Sequence, residues 1–242
     1  MRAGSEAGPV GRALAWIGGG AFIASLAVFV WSYAVPFGTT STAWSFSVAS
    51  TVWPAAVDLA LFSAFALHHS IMARPSAKHW LMTHIPAALE RTLYVWISSV
   101  LFALTCLLWQ EIPAEVYSLT ATGRAVALLI QLTGVGIIVR AAGVIDPLDL
   151  AGIRQATGTE RPARFQVIGP YRVVRHPIYL GWMLVTFGAP TMTATRLWFA
   201  IVSSAYLALA IPFEERSLLA AFGAEYRAYQ ARVRSRLIPR VW

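Results

Sequence analysis

Thirty-six consecutive residues, 178–213, carry a single charge, that of Arg196. As one helix they would extend roughly 54 Å at 1.5 Å per residue, well beyond the ~30 Å hydrocarbon core of a bilayer. The segment must fold back on itself, and Gly188, Pro190 and the small polar run 191–195 are where it can turn. The hairpin returns Glu214-Glu215 to the membrane face that holds Arg175-His176-Pro177-Ile178-Tyr179-Leu180-Gly181. Two polar motifs far apart in sequence are thereby expected at one interface, which makes that interface a candidate site.

The rest of the chain supports the bilayer as solvent. Apolar residues make up 57% of it and charged residues 12%, leaving too little polar surface to cover a water-soluble core. The reading is an all-α, polytopic membrane helical bundle of about six transmembrane helices, near 13–34, 50–67, 93–110, 125–139, 178–194 and 197–213. The fifth and sixth form the hairpin, and a C-terminal interfacial amphipathic helix follows. A chain of 242 residues holds one membrane domain, 12–242, behind a small polar tail, 1–11, expected to be disordered and cytoplasmic. No cleavage pattern precedes the first apolar stretch, so that stretch reads as a retained helix. The lone Cys106 rules out an intrachain disulfide and a thiolate-rich metal site, and no metal site is expected.

A formal charge of +8 invites a nucleic-acid reading, but the charges are sorted by loop. Arg2 and Arg12 precede the first span; Arg74, Lys78 and Arg91 lie between the second and third. Six arginines from Arg140 to Arg175 lie between the fourth and fifth, and six from Arg216 to Arg240 follow the sixth. The opposite loops hold only Arg124 and Arg196, so 17 of the 19 basic residues share a side. That is the positive-inside pattern with both termini cytoplasmic, in the cytoplasmic membrane. The charge serves topology and anionic headgroups, and no nucleic-acid partner is expected.

The fourth span is the shortest, 15 uncharged residues between Arg124 and Arg140, whose long side chains can snorkel. Gly134 and Gly136 would admit a neighbouring helix. Asp58, near the middle of the second span, is costly there and is expected to pair with Gln131 or with backbone groups. After the acidic pair, Leu218, Phe222, Tyr226, Tyr229 and Val233 recur on one helical face, with Arg216, Arg227 and Arg234 on another. Such a helix lies in the interface or closes over the space between His176 and Glu214.

Two carboxylates on a strongly basic face run against the local charge trend, which suits recognition of a cationic ligand group such as an ammonium or a sulfonium. The plain alternative is a solvated helix start. His176 before Pro177 is equally ordinary helix-entrance chemistry. Tyr171, Tyr179, Tyr226 and Tyr229 offer aromatic faces for a purine or a cation, or anchors at the interface.

These residues resemble the membrane methyltransferases of the isoprenylcysteine carboxyl methyltransferase superfamily. The matching pattern is Gly169-Pro170-Tyr171-Arg172, then Arg175-His176-Pro177-Ile178-Tyr179-Leu180-Gly181, then Glu214-Glu215-Arg216, Leu219, Phe222-Gly223, Tyr226, Tyr229 and Arg232-Val233. The resemblance implies that the C-terminal half, 141–242, binds S-adenosylmethionine at the cytoplasmic face. Tyr171, Arg175, His176, Pro177, Tyr179, Gly181, Tyr226 and Tyr229 would line that site, and Glu214 and Glu215 would hold the cofactor's amino-acid end.

From about residue 60 to the C-terminus the chain is similar to the bacterial methanethiol S-methyltransferase branch, through His69-Ser70-Ile71-Met72-Ala73-Arg74-Pro75, Glu90-Arg91 with Tyr94 and Trp109-Gln110 with Pro113 in the N-terminal half, and through Asp149-Leu150-Ala151-Gly152-Ile153-Arg154-Gln155 and Pro190-Thr191-Met192-Thr193 beyond it. Where that branch tends to carry Asn-His, this chain has Asp146-Pro147, a difference that fits a sister group with another acceptor. The implied reaction is methyl transfer to a small or lipophilic thiol. In it Arg74, Arg91 or Arg154 stabilises a thiolate and His69 takes the proton. Two alternatives stay open on the residues alone: methylation of a prenylcysteine carboxylate or a lipid amine, and a non-enzymatic haem or electron-transfer protein using His68, His69 and His84. Oligomeric state has no signature in the sequence.

Overall fold

A computed structural model of the chain describes residues 7–38, 52–159, 165–239 and 241. In chain order its elements are α1 (Pro9–Ala34), α2 (Val52–Met72), α3 (Pro75–Met82), α4 (Glu90–Leu107), β1 (Glu115–Ser118), α5 (Ala121–Ile145), α6 (Pro147–Leu150), α7 (Ile153–Thr157), α8 (Pro177–Phe187), β2 (Thr191–Thr193) and α9 (Ala194–Arg232). Five helices (α1, α2, α4 with its leading turn, α5 and α9) are long and apolar enough to cross a membrane. Their outward faces are greasy: Val10, Ile23, Val30, Leu129, Leu132, Val139 and Leu209 are 63–75% exposed. In water each such side chain would forgo about 1.5–3 kcal/mol of burial, a penalty that hydrocarbon removes. The chain is a multi-pass membrane protein. Its described residues form two compact units, one drawn from 1–112 and 146–162, the other from 113–145 and 163–242.

In the first unit α1 packs along α4 and α2 packs along α4. α1 opens at Pro9, where a missing N–H costs nothing, and so takes in the last residues of the stretch expected to be irregular. Residues 1–6 of that stretch lie outside the described residues. Gly18 gives Trp96 room: a Cβ there would sit 3.0 Å from Trp96 Nε1, which donates to the Leu14 carbonyl at 3.1 Å. Ala15, Ala151, Ile153 and Ala156 form a small core that ties α7 to α1. Deeper in the unit Phe102 stacks near Phe29 (5.9 Å) and Phe65 (5.1 Å between centroids). Asp58 is fully buried, and its Oδ1 accepts the backbone N–H of Gln110 at 2.7 Å, just beyond the end of α4. The backbone half of the expectation for Asp58 therefore holds. Gln131 belongs to the other unit, where its amide donates to the Val185 carbonyl at 2.9 Å.

The second unit is built on a close crossing of α5 and α8. A Cβ on Gly181 would lie 2.6 Å from the Gly134 carbonyl oxygen, and one on Gly134 would lie 2.6 Å from the Gly181 oxygen. Gly134 thus has the packing role expected of it, whereas Gly136 faces open space. α5 runs 25 residues, longer than the uncharged stretch, because Arg124 and Arg140 are helical too. Arg124 folds back near the helix start to donate from Nε to the Leu119 carbonyl at 3.0 Å. α8 has only 11 residues, roughly 16 Å. It stops at Phe187, and the irregular residues 188–190 lead to β2, which pairs antiparallel with β1. Thr193 then caps α9 through Arg196 N–H (3.2 Å), and the buried Arg196 guanidinium donates to the Thr191 carbonyl at 2.5 Å. Where a fifth full-length span, 178–194, was expected there is an 11-residue helix followed by a short turn and β2, and it is not among the five membrane-length helices. α9 continues for 39 residues through Glu214 and Glu215, so the C-terminal amphipathic helix is its extension. The two parts are separated at Gly223, whose φ of +50° is non-helical.

Candidate functional site

His176 and the acidic pair meet inside the second unit. Gly169, at φ +55°, turns the chain into a short 3-10 turn. Arg175 and His176 are then pinned by their N–H groups, which donate to the carbonyls of Ser235 (3.0 Å) and Arg236 (2.9 Å) in the C-terminal segment. Pro177 opens α8 as its first residue. On α9 the two glutamates are neighbours, so roughly 100° of helical rotation separates them. One points inward and the other outward.

Glu215 is the inward one, with its side chain 6% exposed. Its Oε1 accepts from Arg175 Nε at 2.7 Å and lies 3.3 Å from His176 Nε2. Its Oε2 meets Gln230 Nε2 at 3.3 Å and Arg236 Nε at 3.5 Å. The same Arg175 also donates from Nη1 to the carbonyls of Val233 (2.8 Å) and Arg234 (2.9 Å). Glu215 and Arg175 thus form a buried clasp between α8, α9 and the C-terminal segment.

Glu214 is the outward one, its side chain 45% exposed. Its Oε2 accepts the Tyr179 hydroxyl at 2.8 Å and lies 3.3 Å from His176 Nδ1. His176 and Tyr179 stack at 5.4 Å between centroids. Burial, and after it the Glu214 charge, pushes the Tyr171 hydroxyl up to about 12, so it stays protonated. Behind it Tyr229 donates to the Tyr171 carbonyl at 2.8 Å. Tyr226, Tyr229 and Val233 form a core with Phe165, Val167, Leu218, Leu219 and Phe222. The apolar face of the amphipathic helix is therefore covered by the chain itself. The Tyr226 hydroxyl is buried and has no hydrogen-bond partner among the described residues. Gly181 stands at the α5 crossing, where its lack of a side chain is a packing requirement.

The first unit gathers a second cluster. His69 is exposed on the last turn of α2, yet its Nδ1 is 2.8 Å and its Nε2 3.2 Å from the buried Tyr94 hydroxyl on α4. The Arg91 guanidinium sits over the Tyr94 ring, 4.9 Å from its centroid. Gly152, at φ +77°, lets the start of α7 rest on the first turn of α4; a Cβ there would meet Thr92 N at 3.0 Å. Arg154 pairs with Asp146, Nε to Oδ2 at 2.7 Å. Asp146 itself has φ +70°, caps α6 through Leu148 N–H at 3.1 Å, and is held below the usual carboxylate range chiefly by the Arg154 hydrogen bond. Pro147 is the first residue of that short helix. Arg74 stands at the N-cap of α3. His84 is locally engaged, its Nδ1 3.0 Å from the Trp80 carbonyl.

The structure brings His176, Tyr179, Glu214 and Glu215 together as the spacing required, and His69 with Arg91 through Tyr94. Three contributors escaped sequence reading: Tyr94 as the partner of His69, and Gln230 and Arg236 as partners of Glu215. Tyr94 was within reach, one helical turn from Arg91. Nothing in the spacing marked Arg236, because the C-terminal segment folds back through backbone hydrogen bonds.

No protein-family model matches the chain, and no solved structure matches it. Curated relatives do. Methanethiol S-methyltransferase 2 of Bradyrhizobium diazoefficiens is 41% identical over 193 residues, 77% of this chain and 73% of that protein. Methanethiol S-methyltransferase of Pseudomonas deceptionensis is 38% identical over 75% of this chain and 72% of its own. The enzyme of the same name from Mycobacterium tuberculosis is 37% identical over 76% of this chain and 77% of its own. Likeness at this level across most of both chains, on a bundle of membrane-length helices, shows that the chain is a methyltransferase and belongs to the methanethiol S-methyltransferase family.

Proposed function

We propose that the chain transfers the methyl group of S-adenosylmethionine to the sulfur of a small or lipophilic thiol, with the donor held in the second unit. The observation that carries the donor assignment is the division of labour between the two glutamates. Glu215 is buried against Arg175, whereas Glu214, oriented by Tyr179, is partly exposed, which suits its carboxylate to a cationic ligand group. The His176–Tyr179 stack and the Tyr171 hydroxyl beside it suit a ligand that is part cation and part heteroaromatic. The buried Tyr226 hydroxyl adds a donor that a polar ligand would satisfy. When bound, S-adenosylmethionine supplies a methyl carbon on a positively charged sulfur.

The residues of the chain then have three tasks. Glu214, with Tyr179 and His176 behind it, fixes the donor's amino-acid end, since displacement at carbon depends on alignment. Arg175 and Glu215 keep the C-terminal segment closed over α8. His69 takes the thiol proton, because a thiol with a pKa near ~8.5 or above is mostly protonated at neutral pH. Among the three arginines proposed to favour the thiolate, Arg91 has the strongest support. Its charge lies beside the partner of His69, whereas Arg154 is already offset by Asp146. The relatives' names support the thiol; prenylcysteine carboxylates and lipid amines are the competing acceptors. The basic loops support a cytoplasmic-membrane location with both termini cytoplasmic.

Calorimetric titration of the purified protein with S-adenosylmethionine tests the donor site. Glu214→Gln and His176→Ala are each expected to weaken binding about tenfold or more, as charge-assisted contacts do. Unchanged affinity in both variants would refute the assignment.

A further inference from the structure

We infer that the C-terminal segment of the second unit, with the turn that precedes α8, is a binding surface for the headgroups of anionic phospholipids. The first observation is where the segment runs. Continued straight, α9 would carry Arg232 roughly 27 Å beyond Glu214. The non-helical Gly223, at φ +50° and ψ −114°, breaks that course. The chain returns instead, and the carbonyls of Ser235 and Arg236 accept the N–H groups of Arg175 and His176, immediately before α8 begins at Pro177. Leu237 is buried there, so the segment is packed down. At this level one apolar helix begins and the apolar part of another ends: His176 opens α8 and lies 3.3 Å from Glu214, which follows the last apolar residue before the acidic pair, Phe213. A segment fixed at that level lies at the surface of the bilayer.

The second observation is charge. The stretches 161–175 and 226–242 hold nine arginines and no carboxylate; Glu225 is the last acidic residue of the chain. Arg175 and Arg236 are turned to Glu215. Arg227, Arg232 and Arg234 are exposed, and among the described residues no carboxylate pairs with them. The third observation is apolar surface beside those charges, since Val173, Ile238 and Val241 are exposed too. The boundary between headgroups and acyl chains accommodates arginines and aliphatic side chains together, as water does not. A zwitterionic headgroup brings no net charge to these arginines. An anionic phosphodiester does, and its oxygens accept the N–H donors of a guanidinium. Lipid held by this segment also holds the backbone pairing that pins Arg175 and His176.

The test uses the purified full-length protein in nanodiscs of phosphatidylcholine, with phosphatidylglycerol added in steps. Hydrogen–deuterium exchange at the amides of Arg175 and His176, followed by mass spectrometry on overlapping fragments, reports the pairing, because those N–H groups donate to the segment itself. No methyl donor or acceptor is present, so the result is independent of how those are assigned. In the wild type, exchange is expected to slow by about fivefold for each arginine engaged as phosphatidylglycerol is added. It should recover at about 1 M salt, where screening shortens the reach of a charge to ~3 Å. Arg232→Gln combined with Arg234→Gln should raise the phosphatidylglycerol fraction needed for half the effect by about fivefold or more. The salt series on the wild type decides the question should that variant fail to accumulate. Exchange that is the same with and without phosphatidylglycerol, slowing that survives the salt, or a double variant that responds as the wild type does would each overturn the inference. Equal slowing by inorganic phosphate in discs of phosphatidylcholine alone would also overturn it, since the site would then take a free anion and not a membrane surface.

Discussion

Glu214 and Glu215 are chemically identical and adjacent, and one step of helix rotation gives them different roles. Glu215→Ala would strand the buried Arg175 guanidinium, a loss of about 3–5 kcal/mol. It is expected to lower the Tm sharply and to loosen the C-terminal segment. Glu214→Ala, at an exposed position, should leave the Tm nearly unchanged while weakening the donor. Thermal unfolding followed by tryptophan fluorescence, read beside the titration, separates the two; equal Tm losses would contradict the division. Asp146 gives a pH test. Its carboxyl is depressed, so the stabilisation from Arg154 is complete above the ordinary value near 3.8 and disappears as pH falls through the lower folded value. The Tm gap between wild type and Asp146→Asn should therefore be flat from pH 8 to about 5 and close at more acidic pH. A gap that changes between pH 8 and 6 would point to a different titrating group. At this scale much was legible: His176, Tyr179 and the acidic pair were marked by spacing alone. Which glutamate faces outward was not, because it depends on the phase of α9, whose fully buried Phe199 and Ile211 precede the pair in the same helical part.

Helix boundaries follow from local chemistry, and helix contacts from shape. Pro9, Pro75, Pro147 and Pro177 each open a helix, as their fixed φ and missing N–H dictate. The fold-back after Gly188 was readable from length against bilayer thickness. The expected span nevertheless ran to 194, whereas α8 ends at Phe187 with Gly188 as its C-cap and Thr191 to Thr193 pair with β1, a long-range contact that local apolarity does not reveal. The crossing of α5 and α8 depends on two glycines whose carbonyls face each other's bare Cα. Gly181→Ala would place a Cβ 2.6 Å from the Gly134 oxygen, and the backbone must shift to admit it. A loss of about 1–3 kcal/mol is expected, with reduced accumulation in the membrane. Gly136→Ala, facing open space, should be silent and provides the control. Equal behaviour of the two would argue against the close crossing.

Across the whole molecule, a sequence that is 57% apolar folds with much of its greasy surface outward, and that choice of solvent explains both its helices and the sorting of its charges. The fold class was legible for the same reason, because hydrocarbon demands internally satisfied backbones. The division into two compact units was not, since the first takes residues 146–162 from beyond α5 through the small Ala15–Ala156 core. Among the described residues each unit carries a cluster of chemistry-bearing side chains. Membership in the family makes the chain a methyltransferase; the donor and the acceptor are what an experiment must fix. The most direct measurement supplies proteoliposomes containing the purified protein with methyl-labelled S-adenosylmethionine and, in parallel, methanethiol, longer alkyl thiols, farnesylcysteine analogues and phospholipid amines. Label is expected in the thioether products of the small thiols, and Glu214→Gln should abolish most of it. Label appearing in a methyl ester or a methylated amine, with none in any thioether, would contradict the assignment.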